Sequence, residues 1–315
     1  MPATPAAERD AHSYAVPSDA RVTHVALDLT ADFAAHVLAG HATLTIEAVP
    51  TATTLILDTR DLVIQGVTDG AGEPLHYELG PEHRILGRAL KVTLPADRHL
   101  VTVSYRTSPR AAALQWLQPA QTAGGKHPYL FSQGEAILTR TWIPTQDSPG
   151  IRQTYEARIV APAPLTVVMS AEQRTPQGTP VDEGRARRFE FRLEQPVPPY
   201  LIAIAIGELA FKAVGPRSGV YAEPSVVEKA AWEFADIEKM IDAAESIGGP
   251  YRWGRYDVLV MPPSFPFGGM ENPRLTFARR RSSPAIARSP RSSRTSSRTH
   301  GRATWSPTPP GAISG

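Results

Sequence analysis

The chain has 315 residues, 42% of them hydrophobic, and no cysteine, which excludes disulfides and thiolate metal sites. Its net charge of +2 is uneven, because residues 278–315 hold eight arginines and no acidic residue, leaving 25 basic against 31 acidic residues in 1–277. The apparent basicity therefore belongs to the tail. We find no apolar run long enough to cross a membrane and no secretory signal, so we expect a cytoplasmic protein with no membrane partner.

Residues 13–207 predict a β-rich domain, which follows a flexible segment at 1–12. Apolar and polar residues alternate in short runs broken by Pro, Gly and Asp, a pattern typical of half-buried strands in a mainly antiparallel sandwich or saddle-shaped sheet. The runs are 25–29, 44–46, 54–58, 62–67, 90–94, 100–105, 154–160, 165–170 and 189–193. Segment 201–209 is apolar at nearly every position, which predicts a strand buried on both faces.

A mixed α/β domain is predicted over residues 208–277. Ser225 and Glu228 have the spacing of a capping box at the start of a helix, and an apolar stripe at helical period continues to Ile247. Two glycines and a proline then end the helix, and a strand is expected at 256–261. We expect the tail at 278–315 to be disordered, because it is rich in Arg, Ser and Pro. The tryptophans expected in the core are Trp116, Trp142 and Trp232.

Two long motifs carry a family resemblance. PYLFSQGEAILTRTWIPTQDSPG at 128–150 and GGPYRWGRYDVLVMPPSFPFGGMENP at 248–273 resemble the aminopeptidase N / leukotriene A4 hydrolase family of zinc metallopeptidases, and within it the leukotriene A4 hydrolase / aminopeptidase B branch. The resemblance covers roughly residues 12–277. It implies a saddle-like β domain followed by the start of a thermolysin-like α/β catalytic domain. It also implies removal of N-terminal residues from peptides, with an epoxide hydrolase side activity left open.

The resemblance further implies a set of substrate-binding residues. Glu271 would bind the free α-amino group of a peptide, since an ammonium needs a fixed carboxylate, and Glu135 would supply a second ligand for it. The double glycine would let the backbone approach the substrate closely. A glutamate in a loop after a strand is otherwise most often a solvated surface residue. The predicted set is Gln133, Glu135, Phe267, Gly268, Gly269, Met270, Glu271 and Asn272.

The metal motif of this family is missing from the sequence. Such peptidases hold Zn²⁺ with His-Glu-x-x-His on a helix, and none of the nine histidines here forms a pair four residues apart. We therefore expect no complete catalytic site, no bound zinc and no hydrolysis by this chain. A shifted reading frame permits His-Glu-Leu-Ala-His at 295–299, flanked by two further family segments at 284–289 and 300–305. This order predicts a single-base frameshift near Ala278, in the gene or in its sequencing.

Two other functional classes remain open. The β domain can serve as a non-catalytic module that binds a peptide or a protein partner. The arginine-rich tail can bind nucleic acid through its phosphates, but it lacks interleaved aromatic residues, so we expect no specific nucleic-acid partner. The partners expected are peptides bound by their N-terminal amine, and the chain is expected to be a monomer.

Overall fold

The computed structural model describes residues 10–94 and 99–280, which form twenty strands, two α-helices and four short 3-10 helices. The strands are β1 Ala20–Asp32, β2 Val37–Ala48, β3 Thr54–Thr59, β4 Val63–Asp69, β5 Tyr77–Leu79, β6 Arg88–Thr93, β7 Leu100–Arg106, β8 Leu114–Leu117, β9 Tyr129–Ser132, β10 Gln153–Pro162, β11 Thr166–Met169, β12 Glu172–Gln173, β13 Thr179–Val181, β14 Ala186–Val197, β15 Ile204–Gly207, β16 Ala210–Ala213, β17 Ser218–Ala222, β18 Tyr256–Val260, β19 Gly269–Met270 and β20 Leu275–Ala278. The α-helices are α1 Val227–Glu233 and α2 Ile237–Gly248, and the 3-10 helices are Pro119–Gln121, Thr139–Thr141, Asp182–Gly184 and Pro199–Leu201. The predicted mainly β fold is confirmed.

The largest sheet has eight strands in the order β12-β14-β10-β1-β2-β7-β4, with β13 also paired to β14. Its pairs are antiparallel except β1 with β10, which run parallel. Val25, Leu27 and Leu29 of β1 are buried while their neighbours are more exposed, so the predicted alternation is confirmed. This sheet buries its apolar face in the main core of the molecule.

Two smaller sheets complete the first part of the chain, with the orders β3-β6-β5 and β11-β15-β9-β8. All four residues of β15 are buried, as predicted for a strand covered on both faces. The strand is shorter than the predicted 201–209 because Pro199 to Leu201 form a 3-10 turn, closed by the amide of Ile202 donating to Pro199 O at 2.9 Å. Residues 199–202 are taken up by this turn, so the strand begins only after it.

The fourth sheet has the order β16-β17-β18-β20-β19 and is mixed. Strands β17, β18 and β20 run parallel, and the two α-helices form the crossover between β17 and β18. Parallel strands joined by a helical crossover are the α/β arrangement predicted for this part of the chain. The first three sheets end at Gly207 and the fourth begins at Ala210, but the domain limits stay a prediction.

The helical region differs from its prediction in three ways. One continuous helix was expected, but the chain leaves helical geometry at residues 234–236 and forms two helices. The capping box is absent: α1 has no side-chain cap, and Glu228 instead pairs with Lys212 on β16. The apolar stripe is only partly buried, because Met240 and Ile247 are 68% and 90% exposed. Gly249 does end α2, with φ of 82° and its amide bonded to Glu245 O at 2.9 Å.

The tryptophans also divide. Trp142 is fully buried and Trp116 packs against the main core, as predicted. The prediction for Trp232 is wrong: its side chain lies on the outer side of α1 and is 75% exposed. The helical period correctly places Ala230 and Ala231 inward, and the bulky neighbour at 232 is turned away from that face.

Several predictions concern the ends of the chain. Asp10 and His12 belong to the segment predicted to be flexible, and both make hydrogen bonds: Ser148 Oγ donates to Asp10 Oδ2 at 2.6 Å, and Arg140 Nη2 to His12 O at 2.8 Å. The predicted disorder begins at Ala278, which pairs in β20. Residues 281–315 of the tail, on which the frameshift and nucleic-acid hypotheses mainly rest, lie outside the described residues. Neither α-helix of the described part has the length and apolar composition to cross a membrane.

Candidate functional site

The segment with the double glycine forms a short hairpin at the edge of the fourth sheet. Strand β19, which holds Gly269 and Met270, pairs antiparallel with β20 and is the last strand in the sheet order. Gly269 faces Ala278 in the register, and a β-carbon on it would lie 3.0 Å from Phe277 O. A larger residue would therefore press on the neighbouring strand, which explains the need for glycine at this position. Gly268 is exposed and has open space beside it.

A row of aromatic rings anchors this segment to the first part of the chain. Phe265 contacts Phe131 of β9 edge to face, with ring centroids 5.2 Å apart, and Phe267 at 5.4 Å. Phe131 and Phe265 are buried, whereas Phe267 is partly exposed and forms an aromatic wall at the surface. The row belongs to a second apolar cluster that also contains Met270 and Leu259. The two family motifs are thus packed on one common core.

Gln133 makes the direct contact between the two motifs. Its side-chain Nε2 lies 3.5 Å from Met270 Sδ, and its backbone amide donates to Ala113 O at 2.8 Å. Gly134 follows in close contact with the chain at Tyr200: a β-carbon there would lie 2.8 Å from Tyr200 O. The loop that follows β9 is therefore held close to the backbone and delivers the next residue, Glu135, to the surface.

Both glutamates predicted to bind an amine are exposed. Glu135 and Glu271 make no hydrogen bond or ion pair with any residue in the described part of the chain. Glu135 comes two positions after Gln133 and Glu271 comes directly after Met270, so the backbone at each glutamate is close in sequence to the contact between the two motifs. Unpaired, solvated carboxylates are free to accept an ammonium group.

Two members of the predicted set, Met270 and Asn272, are buried and have structural roles. Met270 packs in the second apolar cluster, so only its backbone is at the sheet edge. Asn272 is 2% exposed, and neither polar atom of its amide has a partner among the described residues. Its backbone O accepts the amide of Leu275 at 3.3 Å in the turn that joins β19 to β20. Direct contact of these two side chains with a substrate stays a prediction.

A buried ionic cluster fixes the far end of the 133–148 loop, and sequence reasoning did not identify it. Arg140 is 0% exposed and donates to Asp147 Oδ2 from Nε at 3.1 Å. Its other N–H groups donate to the backbone oxygens of Leu86 at 3.0 Å, His12 at 2.8 Å and Asp147 at 2.9 Å. Asp58, 3.7 Å from the guanidinium, is also fully buried. One cation thus ties four distant segments of the chain together.

Asp58 completes this cluster by accepting three hydrogen bonds. Their donors are Ser13 Oγ at 2.6 Å, the amide of Tyr14 at 2.7 Å and the amide of Asp147 at 2.9 Å. Burial raises the pKa of Asp58, and it raises that of Asp147 to about 6, although the charge of Arg140 opposes both shifts. Two carboxylates share one guanidinium, so the cluster holds negative charge poorly. Arg140 and Asp147, charged residues on either side of the apolar pair Trp142-Ile143, were the available sequence signal.

The residues present do not fit a zinc site. No group of three or more His, Asp or Glu side chains that could hold a metal ion occurs within residues 10–94 and 99–280. The sequence lacks His-Glu-x-x-His throughout. The expectation that this chain binds no zinc stays a prediction.

Comparison with known proteins is consistent with this arrangement. Residues 21–201 match the model of the peptidase M1 N-terminal domain. The chain is 40% identical to leukotriene A-4 hydrolase of Xenopus laevis over 274 residues, which cover 85% of this chain and 45% of that protein. It is 42% identical to leucine aminopeptidase 2 of Yarrowia lipolytica over 278 residues, covering 86% and 41% respectively.

Solved structures give the same picture. The native yeast LTA4 hydrolase superposes with a TM-score of 0.80 at 36% identity, over 89% of this chain and 43% of that one. An M1 zinc metallopeptidase from Deinococcus radiodurans, at 19% identity and a TM-score of 0.66, shares the fold. The chain therefore spans less than half the length of the relatives it matches at 36–42% identity.

Proposed function

The chain belongs to the M1 peptidase family, and we propose that its described part is the amine-recognition half of an aminopeptidase site. The observation that carries this proposal is the contact of Gln133 with Met270, which joins the two motifs and leaves Glu135 and Glu271 exposed and unpaired. A peptide N-terminus is an ammonium group, and the carboxylates of Glu135 and Glu271 would supply its charge-assisted hydrogen bonds. Fixing the amine would select the first peptide bond of a substrate.

Within residues 10–94 and 99–280, β19 pairs only with β20, and its other edge supports a peptide in the same place. An edge strand offers unpaired N–H and C=O groups, and an extended peptide can add to it as a further strand. Gly268 and Gly269 carry no side chains that would keep such a peptide away. Phe267, whose exposed ring contacts Phe265, would then border the first side chain of the peptide.

We propose two things. The chain is a fragment of a zinc metallo-aminopeptidase, and in its 315-residue form it binds peptides without cleaving them. The names of its relatives, leukotriene A-4 hydrolase and leucine aminopeptidase 2, support the first statement. The missing His-Glu-x-x-His motif supports the second, since the sequence lacks the paired histidines that would hold the metal and the glutamate between them that would act as general base. A cytoplasmic location, a monomeric state and an epoxide hydrolase side activity stay predictions.

Titration of a short peptide with a free N-terminus, and of the same peptide acetylated, tests the proposal. We expect binding of the free peptide only. Glu271→Gln should weaken it by about 1.5–3 kcal/mol, or roughly 10- to 150-fold in Kd, because one charge-assisted hydrogen bond is weakened. Glu233→Gln on α1, also exposed, is the matched control and should leave Kd unchanged. Equal binding of the acetylated peptide, or equal effects of the two variants, would contradict amine recognition.

A second measurement addresses cleavage. With saturating Zn²⁺ and a leucine amide dye, the purified chain should release no dye above the rate of the Glu271→Gln variant. Zinc-dependent release by the unmodified chain would refute the proposal that it binds without cleaving, and it would leave the proposal of amine recognition intact.

A further inference from the structure

A second groove lies away from the amine site and is lined by arginines. It has a volume of about 720 Å³ and lies between the turn that joins β3 to β4, the loop that joins β5 to β6, and the end of β7. Four arginines are among its lining residues, Arg60, Arg84, Arg88 and Arg106. The volume is within the range of about 300–1,000 Å³ that is typical of small-molecule sites. We propose that this groove binds an organic molecule carrying two or more phosphate groups.

The charges in the groove are unbalanced. Arg88 pairs with Glu82 at 3.1 Å, and Arg60 has only a long contact of 3.7 Å with Asp61. Arg84 and Arg106 have no ion pair with any residue that the structure describes. Asp61 and Glu82 also line the groove, so four cations face two carboxylates, and an anion between the arginines relieves the repulsion that remains. The groove therefore has an excess of positive charge that its own residues do not neutralise.

The wall that carries Arg84 is rigid. His83 and Gly87 exchange backbone hydrogen bonds of 2.8 Å in both directions, and His83 Nδ1 accepts the amides of Ile85 and Leu86 at 3.2 and 3.0 Å. Gly87 has φ of 73°, and a β-carbon there would overlap the backbone of the β3–β4 turn. A loop held in this way loses little entropy when a ligand binds.

The chemistry of the lining favours phosphate. A guanidinium presents a planar fork that matches two oxygens of a phosphate group, and two such groups without a carboxylate partner can hold two phosphates. Leu62, Val63 and Leu79 form an apolar part of the lining that can receive the organic portion of the ligand. Ser108 Oγ accepts the amide of Arg110 at 3.1 Å, so its hydroxyl hydrogen remains available to an anion.

A second cavity of about 360 Å³, on the large sheet, provides a contrast. It also contains arginines, but here the three in the lining are matched by three acids, Asp28, Glu156 and Glu190. Arginines alone therefore do not mark an anion site. The difference lies in the absence of enough carboxylates beside Arg84 and Arg106.

Calorimetric titration of the full chain with pyrophosphate and tripolyphosphate, at about 150 mM salt, tests the proposal. The arginines of residues 278–315 are a source of background binding, so the comparison is between variants that all retain them. Arg84→Gln/Arg106→Gln should lower the affinity about tenfold or more, because two charge-assisted contacts are lost. Arg158→Gln/Arg192→Gln, which removes the same charge from the second cavity, should change it less than about twofold.

Three outcomes would overturn the proposal. The first is equal affinity of the two double variants, which would place the binding in the tail. The second is no measurable binding to the unmodified chain. The third is a hexaglutamate peptide that binds the groove more tightly than tripolyphosphate, which would indicate an acidic protein partner. Melting curves by circular dichroism establish that both double variants are folded. If Arg84→Gln/Arg106→Gln is not folded, the single variant Arg84→Gln takes its place in the comparison.

Discussion

Replacement of Arg140 by methionine tests how the buried ionic cluster supports the fold. The change removes four hydrogen bonds and leaves Asp58 and Asp147 buried without a cation. Loss of one partner of a buried ion pair typically costs about 3–5 kcal/mol, because the remaining charge is not compensated. A domain is stable by only about 5–15 kcal/mol, so this single change should remove a large part of the total.

The loss should depend on pH. Burial already raises the pKa of both acids above the value near 4 that they have in the unfolded chain. Their contribution to the stability of the fold is therefore fully present below about pH 4, and it is lost as the pH rises through the folded pKa, which is about 6 for Asp147. Without the guanidinium both folded pKa values rise further. The variant should therefore lose more stability at pH 7.5 than at pH 5, where protons neutralise the orphaned carboxylates.

Urea unfolding followed by circular dichroism at the two pH values measures this effect. Arg21→Met is the matched control, since Arg21 pairs with Glu47 at 2.8 Å but both side chains are more than half exposed, and we expect a loss below about 1 kcal/mol. Arg140→Lys should fall between the two, because it keeps the charge but not the fork of donors. A loss below about 1 kcal/mol for Arg140→Met at pH 7.5, or an equal loss at both pH values, would refute the reasoning.

The other predictions concern packing. Trp142→Ala should cost about 3–5 kcal/mol and Trp232→Ala less than about 0.5 kcal/mol, since the first ring is fully buried and the second is 75% exposed; equal melting temperatures for both variants would contradict these positions. Gly207→Ala should lower the free energy of unfolding by about 1–3 kcal/mol, because the added carbon overlaps the buried ring of Tyr129. Gly66→Ala should not lower it in this way, because the space around Gly66 is open. Urea unfolding of the two glycine variants compares them directly.

Local pattern was a good guide to elements whose burial alternates. Leu27 and Leu29 point to the core as their period predicts, and β15 is buried on both faces as its continuous apolar run predicts. The strands β8 and β9 were not predicted as strands. β9 is buried at every position, so it has no alternation to reveal it. A four-residue apolar run does not distinguish a strand from part of a helix.

Long-range contacts account for what the sequence did not reveal. Arg140 meets Asp58 across 82 positions, and Gln133 meets Met270 across 137, which no local period encodes. Glu228 has the spacing of a capping box, but Lys212 on a neighbouring strand binds its carboxylate instead. The amine-binding residues were predicted from motif resemblance. The structure adds the aromatic row and the glutamine contact that bring the two motifs together.

The parallel pairing of β1 with β10 has a consequence for how the chain folds during synthesis. His24 of β1 pairs with Thr154 of β10, 130 positions later, so the central strand of the large sheet cannot gain this neighbour until β10 has left the ribosome. Contacts so distant in sequence make folding slow, because the loop between them must close before they form. Until then one edge of β1 is open to pairing with other chains. A nascent chain of this protein therefore passes through a stage at which the edge of β1 is exposed to aggregation.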